Sequence, residues 1–227
     1  MTDQLLLAEE LFLLTHDDTS GKADVTLALD EGLAGALLLD LAAESLLGAK
    51  GKTVVAAPGT PAHPLLAAAH DELLAADRPR SAGHWVRRLP TALKPLAPTV
   101  GRSLVQRGLL TEEHRKVLKL FPTTTWPTVD SGPEKVLRAR LGSVLVDGTT
   151  PDPRTALLIA LLHPLDLAGR AVDKPHRKAA KARAKAISQE TQASAAVSGA
   201  VAQSVQAVQA AVLSAVTVTT VAASGSS

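Results

Sequence analysis

Polar positions almost vanish from one stretch of the chain, residues 32–47, GLAGALLLDLAAESLL. Asp40 and Glu44 lie four apart there, so in a helix they share one narrow strip. Asp30 is suited to N-cap such a helix and Gly48 to stop it. A helix that is apolar on nearly every side must be enclosed by other helices or by lipid. This run is shorter than the roughly 20 apolar residues of a bilayer span and carries two carboxylates. The pattern therefore predicts the central helix of a soluble helical domain.

The remaining elements follow from the same kind of pattern. Thr2 and Asp3 can cap a helix over 4–14 with a wide leucine face, its wet side marked by Glu9 and Glu10. HDDTSGKAD at 16–24 is a turn cluster. Residues 53–57 predict a short strand. Residues 65–76 predict a helix with an exposed pair, Asp71 and Glu72, and 84–89 a short amphipathic helix. Pro90, Pro95 and Pro98 are expected to keep the next stretch loose before a helix at 100–107 that ends at Gly108. The β-prone residues between Leu109 and Trp126, closed by Pro122 and Pro127, predict a β-hairpin projecting from the body. Helices follow at 134–146 and at 155–162, the second opened by Asp152 and Pro153. Beyond the basic stretch 174–185, Val197, Val201, Val205, Val208, Val212 and Val216 keep helical spacing in an uncharged Ala/Val/Ser/Gln-rich tail. The expected fold is mainly α: one helical domain over 1–190, with buried central helices ringed by amphipathic ones and a protruding β-hairpin. A tail or helix then covers 191–227.

Composition narrows this reading. With two Phe, two Trp and no Tyr, the core must be built from Leu, Ala and Val. The absence of Cys excludes disulfides and thiolate metal sites. The net charge of +2 demands no nucleic acid or membrane partner. The distribution is uneven, however: residues 170–185 hold seven Lys/Arg against one Asp. The N-terminal stretch has acids inside its apolar run and no basic region, unlike a secretory signal.

Candidate chemistry is sparse. GAKGKT at 48–53 is similar to the end of a phosphate-binding loop, but Leu46 stands where the first Gly is needed and the helix precedes the strand, so a tight turn explains it better. Pro64 interrupts the helical spacing of His63 and His70, and His163 beside Pro164 reads as a core or helix-end histidine. Glu9–Glu10, Asp17–Asp18 and Glu112–Glu113 look like solvated surface. No nucleophile elbow is present, and no metal site or cofactor is expected. Leu118, Leu120 and Phe121, flanked by Lys116 and Lys119, either fold back onto the body or form an apolar tip that enters a lipid interface. Lys174, Lys178, Lys181 and Lys185 form either a solvated helix face or a patch for anionic lipid.

Taken in order, several segments resemble the Golgi phosphoprotein 3 family over roughly residues 4–170. LLLAEELFLL resembles its opening helix, GLAGALLLDLA its central helix, and HWVRRL its Trp-containing helix. SLVQRGLLTEE with TTTWP is similar to its helix-to-hairpin passage, and TALLIALLHPLDL to its second core helix. The resemblance implies a mainly α fold with a lipid-touching hairpin and peripheral binding to membranes containing phosphatidylinositol 4-phosphate. It implies no catalysis, and a membrane-protein client as a second partner. The family's pocket Trp falls at Val25, one pocket Arg at Ala34, and two more near Lys94 and Ala97. Only Lys94 keeps a positive charge, which leaves Arg87, Arg88 and Arg102 as substitute cations for a headgroup.

The expected function is therefore a non-enzymatic peripheral membrane protein, cytoplasmic with a membrane-associated fraction. It would hold anionic phospholipid through Lys94, Arg87, Arg88 and Arg102 and insert Leu118, Leu120 and Phe121. The rivals are a winged-helix-like nucleic-acid binder, disfavoured by the small net charge and the prolines before the hairpin, and a protein-binding adaptor without lipid affinity.

Overall fold

The computed structural model describes residues 4–16, 28–50, 53–117, 121–195 and 207–215. At its centre is α2 (Leu29–Ala43), with every residue from Gly32 to Ala42 buried. Packed on it are α1 (Leu7–Leu14), α3 (Pro64–Leu74), α4 (Ala82–Ala92), α5 (Leu96–Gln106) and α7 (Pro153–Leu162). An all-round apolar helix can be satisfied only by this kind of enclosure. The next layer holds α6 (Gly132–Leu145) and α8 (Arg177–Ala195), the latter preceded by 3-10 turns at Ala168–Arg170 and Lys174–His176. The fold is mainly α, as the pattern predicts.

The boundaries of α2 differ from expectation. Ser45 takes a left-handed conformation (φ 60°), and the Leu46 N–H donates to the Leu41 carbonyl at 2.8 Å, which closes the helix. Leu46 and Leu47 are therefore not helical, and Gly48 is not the stop. Leu47–Lys50 is strand β1, paired with β2 (Thr53–Ala56), which pairs in turn with the two-residue β3 (Arg80–Ser81), all antiparallel. Asp30 lies inside the first turn of α2, and its carboxylate accepts from the Ala97 N–H of α5 at 3.2 Å. It caps a neighbouring helix, not its own.

The prolines interrupt less than expected. Helix α4 runs through Pro90 because Trp85, Val86 and Leu89 anchor that face in the core. Pro98 falls in the first turn of α5, where the missing N–H removes no helical hydrogen bond. Helix α7 begins as predicted, with the Asp152 carboxylate accepting from the Thr155 N–H at 3.0 Å and Pro153 following.

The hairpin is present. Strands β4 (Glu113–Val117) and β5 (Phe121–Thr125) pair antiparallel from Glu113↔Thr125 to Val117↔Phe121. Its base is anchored by Trp126, 5% exposed, which meets Phe12 of α1 edge-on with ring centroids 5.8 Å apart. Leu118 and Leu120 lie outside the described residues, as does the side chain of Phe121.

Helix α8 turns Ala180, Ala184 and Ile187 inward and leaves Lys174, Lys178, Lys181 and Lys185 exposed. In the tail, 207–215 is helical (α9), with Val208, Ala211, Val212 and Ala215 buried. The other valines of the predicted stripe lie outside the described residues. Val212 sits directly on Gly35 of α2, where any Cβ would overlap its Cγ2. Gly35→Leu should therefore lift α9 from the body at a loss of about 1–3 kcal/mol. Limited proteolysis should then cut within 196–215 faster than in the unaltered chain, and urea unfolding gives the loss.

Candidate functional site

A groove of about 1190 Å³ runs between the chain entering α1, the end of α2, the start of α3, the α4–α5 junction, α5 and the start of α7. Lys94, Arg102, Arg107, Arg154, His63 and Ser103 supply part of its polar lining together with the acids Asp40 and Glu44, and Leu5, Leu93 and Leu157 part of its apolar lining. The structure thus brings Lys94 and Arg102 together. It does not bring Arg87 or Arg88 with them. Both lie on the exposed side of α4, whose opposite side buries Trp85, Val86 and Leu89, and Arg88 is 3.8 Å from Glu72 of α3. Arg102 pairs with Glu112 at 3.2 Å, whereas Lys94 is exposed and has no ion-pair partner among the described residues.

Beneath the groove, three acids are buried. Glu9, Glu10 and Asp40 are 0%, 5% and 3% exposed. This corrects the reading of Glu9 and Glu10 as wet surface; Asp17 and Asp18 lie outside the described residues. Glu9 accepts from the Leu6 N–H (2.9 Å) and the Ser103 hydroxyl (2.6 Å), with Arg107 Nη1 at 3.7 Å. Glu10 Oε1 accepts from Arg140 of α6 at 2.9 Å. Asp40 accepts from the Leu7 N–H at 2.8 Å and from Arg154 of α7 at 3.2 Å. Arg154 also donates to the Leu5 carbonyl and lies 3.7 Å from Glu10. Apart from the Leu6 amide, the partners come from 33 or more residues away and from four elements, so local periodicity cannot reveal them.

Burial raises the carboxyls of this cluster unless hydrogen bonds outweigh it. Burial also pushes Glu9 up, but hydrogen bonds from His63, Ser103 and the Leu6 amide prevail and hold it below its usual value. Glu10 is raised by burial despite Arg154 and Arg140. Asp40 is raised by burial to about 7, against the pull of Arg154 and the Leu7 amide.

Ser103, His63 and Glu9 are close, but their order is wrong for nucleophilic catalysis. The hydroxyl donates to Glu9, and His63 Nδ1 accepts from the Leu65 N–H at 3.2 Å. A neutral imidazole in that state carries its proton on Nε2, the atom 3.3 Å from Ser103, and is no base toward it. His70, 1% exposed, bonds the Ala57 carbonyl at 2.9 Å, a satisfied core histidine. Among the described residues no group of three His, Asp or Glu is placed to hold a metal ion.

Sequence reasoning set His63 aside and did not single out Arg107, Arg154 or Ser103. One signal was available: Arg154 lies in the first turn of α7, where a cation opposes the helix dipole, and so called for a compensating acid.

A model of the Golgi phosphoprotein 3 (GPP34) family matches residues 7–208. The chain belongs to the Golgi phosphoprotein 3 family. No curated protein matches it. In this Golgi phosphoprotein 3 family member, the positions to which the resemblance assigns the pocket residues carry other side chains. Ala34 is fully buried, the Ala97 amide is taken by Asp30, and Val25 lies outside the described residues. No helix among the described residues is long and apolar enough to cross a membrane.

Asp40 gives a pH signature. It keeps its proton to about pH 7 when folded and loses it near 3.8 when unfolded, so folding takes up a proton between those values. Its contribution is fully present below about pH 4 and is lost as pH rises through 7. Urea unfolding of the unaltered chain and of Asp40→Asn should show the difference between them shrinking across that window.

Proposed function

We propose that this Golgi phosphoprotein 3 family member is a non-enzymatic peripheral membrane protein. It binds anionic phospholipid, nominally phosphatidylinositol 4-phosphate, while the hairpin tip touches the bilayer. The observation that carries this reading is the mixed lining of the groove, where the unpaired ammonium of Lys94 and the guanidinium of Arg102 share a wall with Leu5, Leu93 and Leu157. Cations beside half-buried leucines suit a headgroup phosphate with apolar chain next to it. Family membership supports the same reading, and so does a hairpin that stands on a rigid base at Trp126. A winged-helix reading of 100–126 is less well supported, because Arg102 and Arg107 near the end of α5 are engaged by Glu112 and Glu9.

The test is co-sedimentation of the purified chain with neutral vesicles, with generic anionic vesicles, and with vesicles of matched charge carrying phosphatidylinositol 4-phosphate. Pelleting with the phosphoinositide is expected, and Lys94→Ala should weaken it about fivefold, the effect of roughly 1 kcal/mol for one basic residue near an anionic surface. Absence of pelleting with every anionic mixture would overturn the reading. Leu120→Asp combined with Phe121→Asp should release the folded protein from the same vesicles; unchanged pelleting of that variant would remove the tip from the mechanism.

A further inference from the structure

A second cleft, of about 900 Å³, lies where the end of α1, α6, the 3-10 turn Ala168–Arg170 and the start of α8 meet. It shares no lining residue with the groove that contains Lys94. Arg138, Arg170, Lys174, Arg177 and His176 line it, and the acids among its lining residues are Asp147 and Asp173. Among the described residues, Lys174 and Arg177 thus stand in this lining with Asp147 and Asp173, while Arg138 is paired with Glu134.

Two features distinguish this cleft from a solvated basic surface. The first is a fixed guanidinium. Arg138 Nε donates to the buried Glu134 at 2.7 Å, and Nη1 donates to the Arg170 carbonyl at 2.5 Å. Nη2 has no acceptor among the described residues. The second is the helix end. Arg177 opens a 19-residue helix and Lys174 opens the 3-10 turn that leads into it, where positive charge is opposed by the dipole. In α7 the same misfit is resolved by Asp40 and Glu10 gathering around Arg154. At α8 it is not resolved. Neither Lys174 nor Arg177 has a side-chain hydrogen bond or ion pair among the described residues, and the Asp173 carboxylate makes no capping bond.

We propose that this cleft binds a phosphate monoester, with the free edge of Arg138, Lys174 and Arg177 as its donors. A dianion answers both the unpaired cations and the α8 dipole, and guanidinium forks match phosphate oxygens two at a time. The cleft is larger than a phosphate ion, and Ala139, Gly142 and Val172 leave room for the body that carries the group. That body is a lipid or a soluble phosphorylated molecule, two sources of one chemistry. The inference is independent of the groove, and either can fail alone.

The test uses the full chain, with two probes at matched ionic strength: glycerol 3-phosphate in solution, read by titration calorimetry, and phosphatidic acid in neutral vesicles, read by co-sedimentation. Phosphatidylglycerol vesicles of equal surface charge serve as the phosphodiester comparison. Lys174→Glu with Arg177→Glu should weaken binding at least tenfold, while Arg78→Gln, an exposed cation that lines neither the groove nor the cleft, leaves it unchanged. Both altered residues are exposed, and Lys174→Gln with Arg177→Gln gives the same reading should charge reversal disturb folding. Loss in the calorimetric arm supports a soluble ligand, and loss in the vesicle arm alone supports a lipid headgroup. The proposal is overturned by no binding of either probe, by binding that survives the α8 substitutions, or by equal pelleting with phosphatidylglycerol.

Discussion

The contact between Asp40 and Arg154 ties three helices together. Asp40 projects from the last turn of α2, accepts the first amide of α1 and meets the guanidinium of α7, which also holds the Leu5 carbonyl. The N-terminal end of α1 is positioned by these bonds, and residues 4–7 form one wall of the groove. Removing Arg154 would leave the Leu5 carbonyl and the acids around it without their shared donor. Glu10 and Arg140 extend the cluster to α6, and Glu9 extends it to α5. A core built from leucine and alanine has few directional contacts of its own, and these charged bonds supply them.

The same cluster limits what the groove above it can do. Arg102, Arg107 and Arg154 line the groove, but each is already matched by a carboxylate, so most of its apparent charge is internal. Lys94 is the cation left open, beside an α5 amide that Asp30 has taken. An anionic surface would therefore be met by one strong electrostatic contact with apolar neighbours, not by a multidentate clamp. At the start of α8 the balance is reversed: Lys174 and Arg177 have no ion-pair partner among the described residues.

Much of the fold was legible in the sequence. The unbroken apolar run of α2, the Asp152–Pro153 start of α7, the Gly108 end of the helix before the hairpin and the inward Val208 and Val212 all follow from period and end chemistry, which act within a few residues. Less of the candidate site was legible. Lys94 and Arg102 could be named as cations from the family resemblance, but their separation from Arg87 and Arg88 depends on which side of α4 faces the core.

The sequence by itself determined which segments become helices, where the hairpin forms and which leucines must be enclosed, because these depend on local spacing and on transfer of apolar surface from water. Tertiary structure alone decided that Glu9, Glu10 and Asp40 lie inside and that α2 stops at Ala43. It also decided that Asp30 caps α5 and that Gly35 receives Val212. In each case the outcome depends on a group far along the chain arriving within a few ångströms. A carboxylate is wet or buried according to whether an arginine from another helix reaches it, and no local pattern contains that distance.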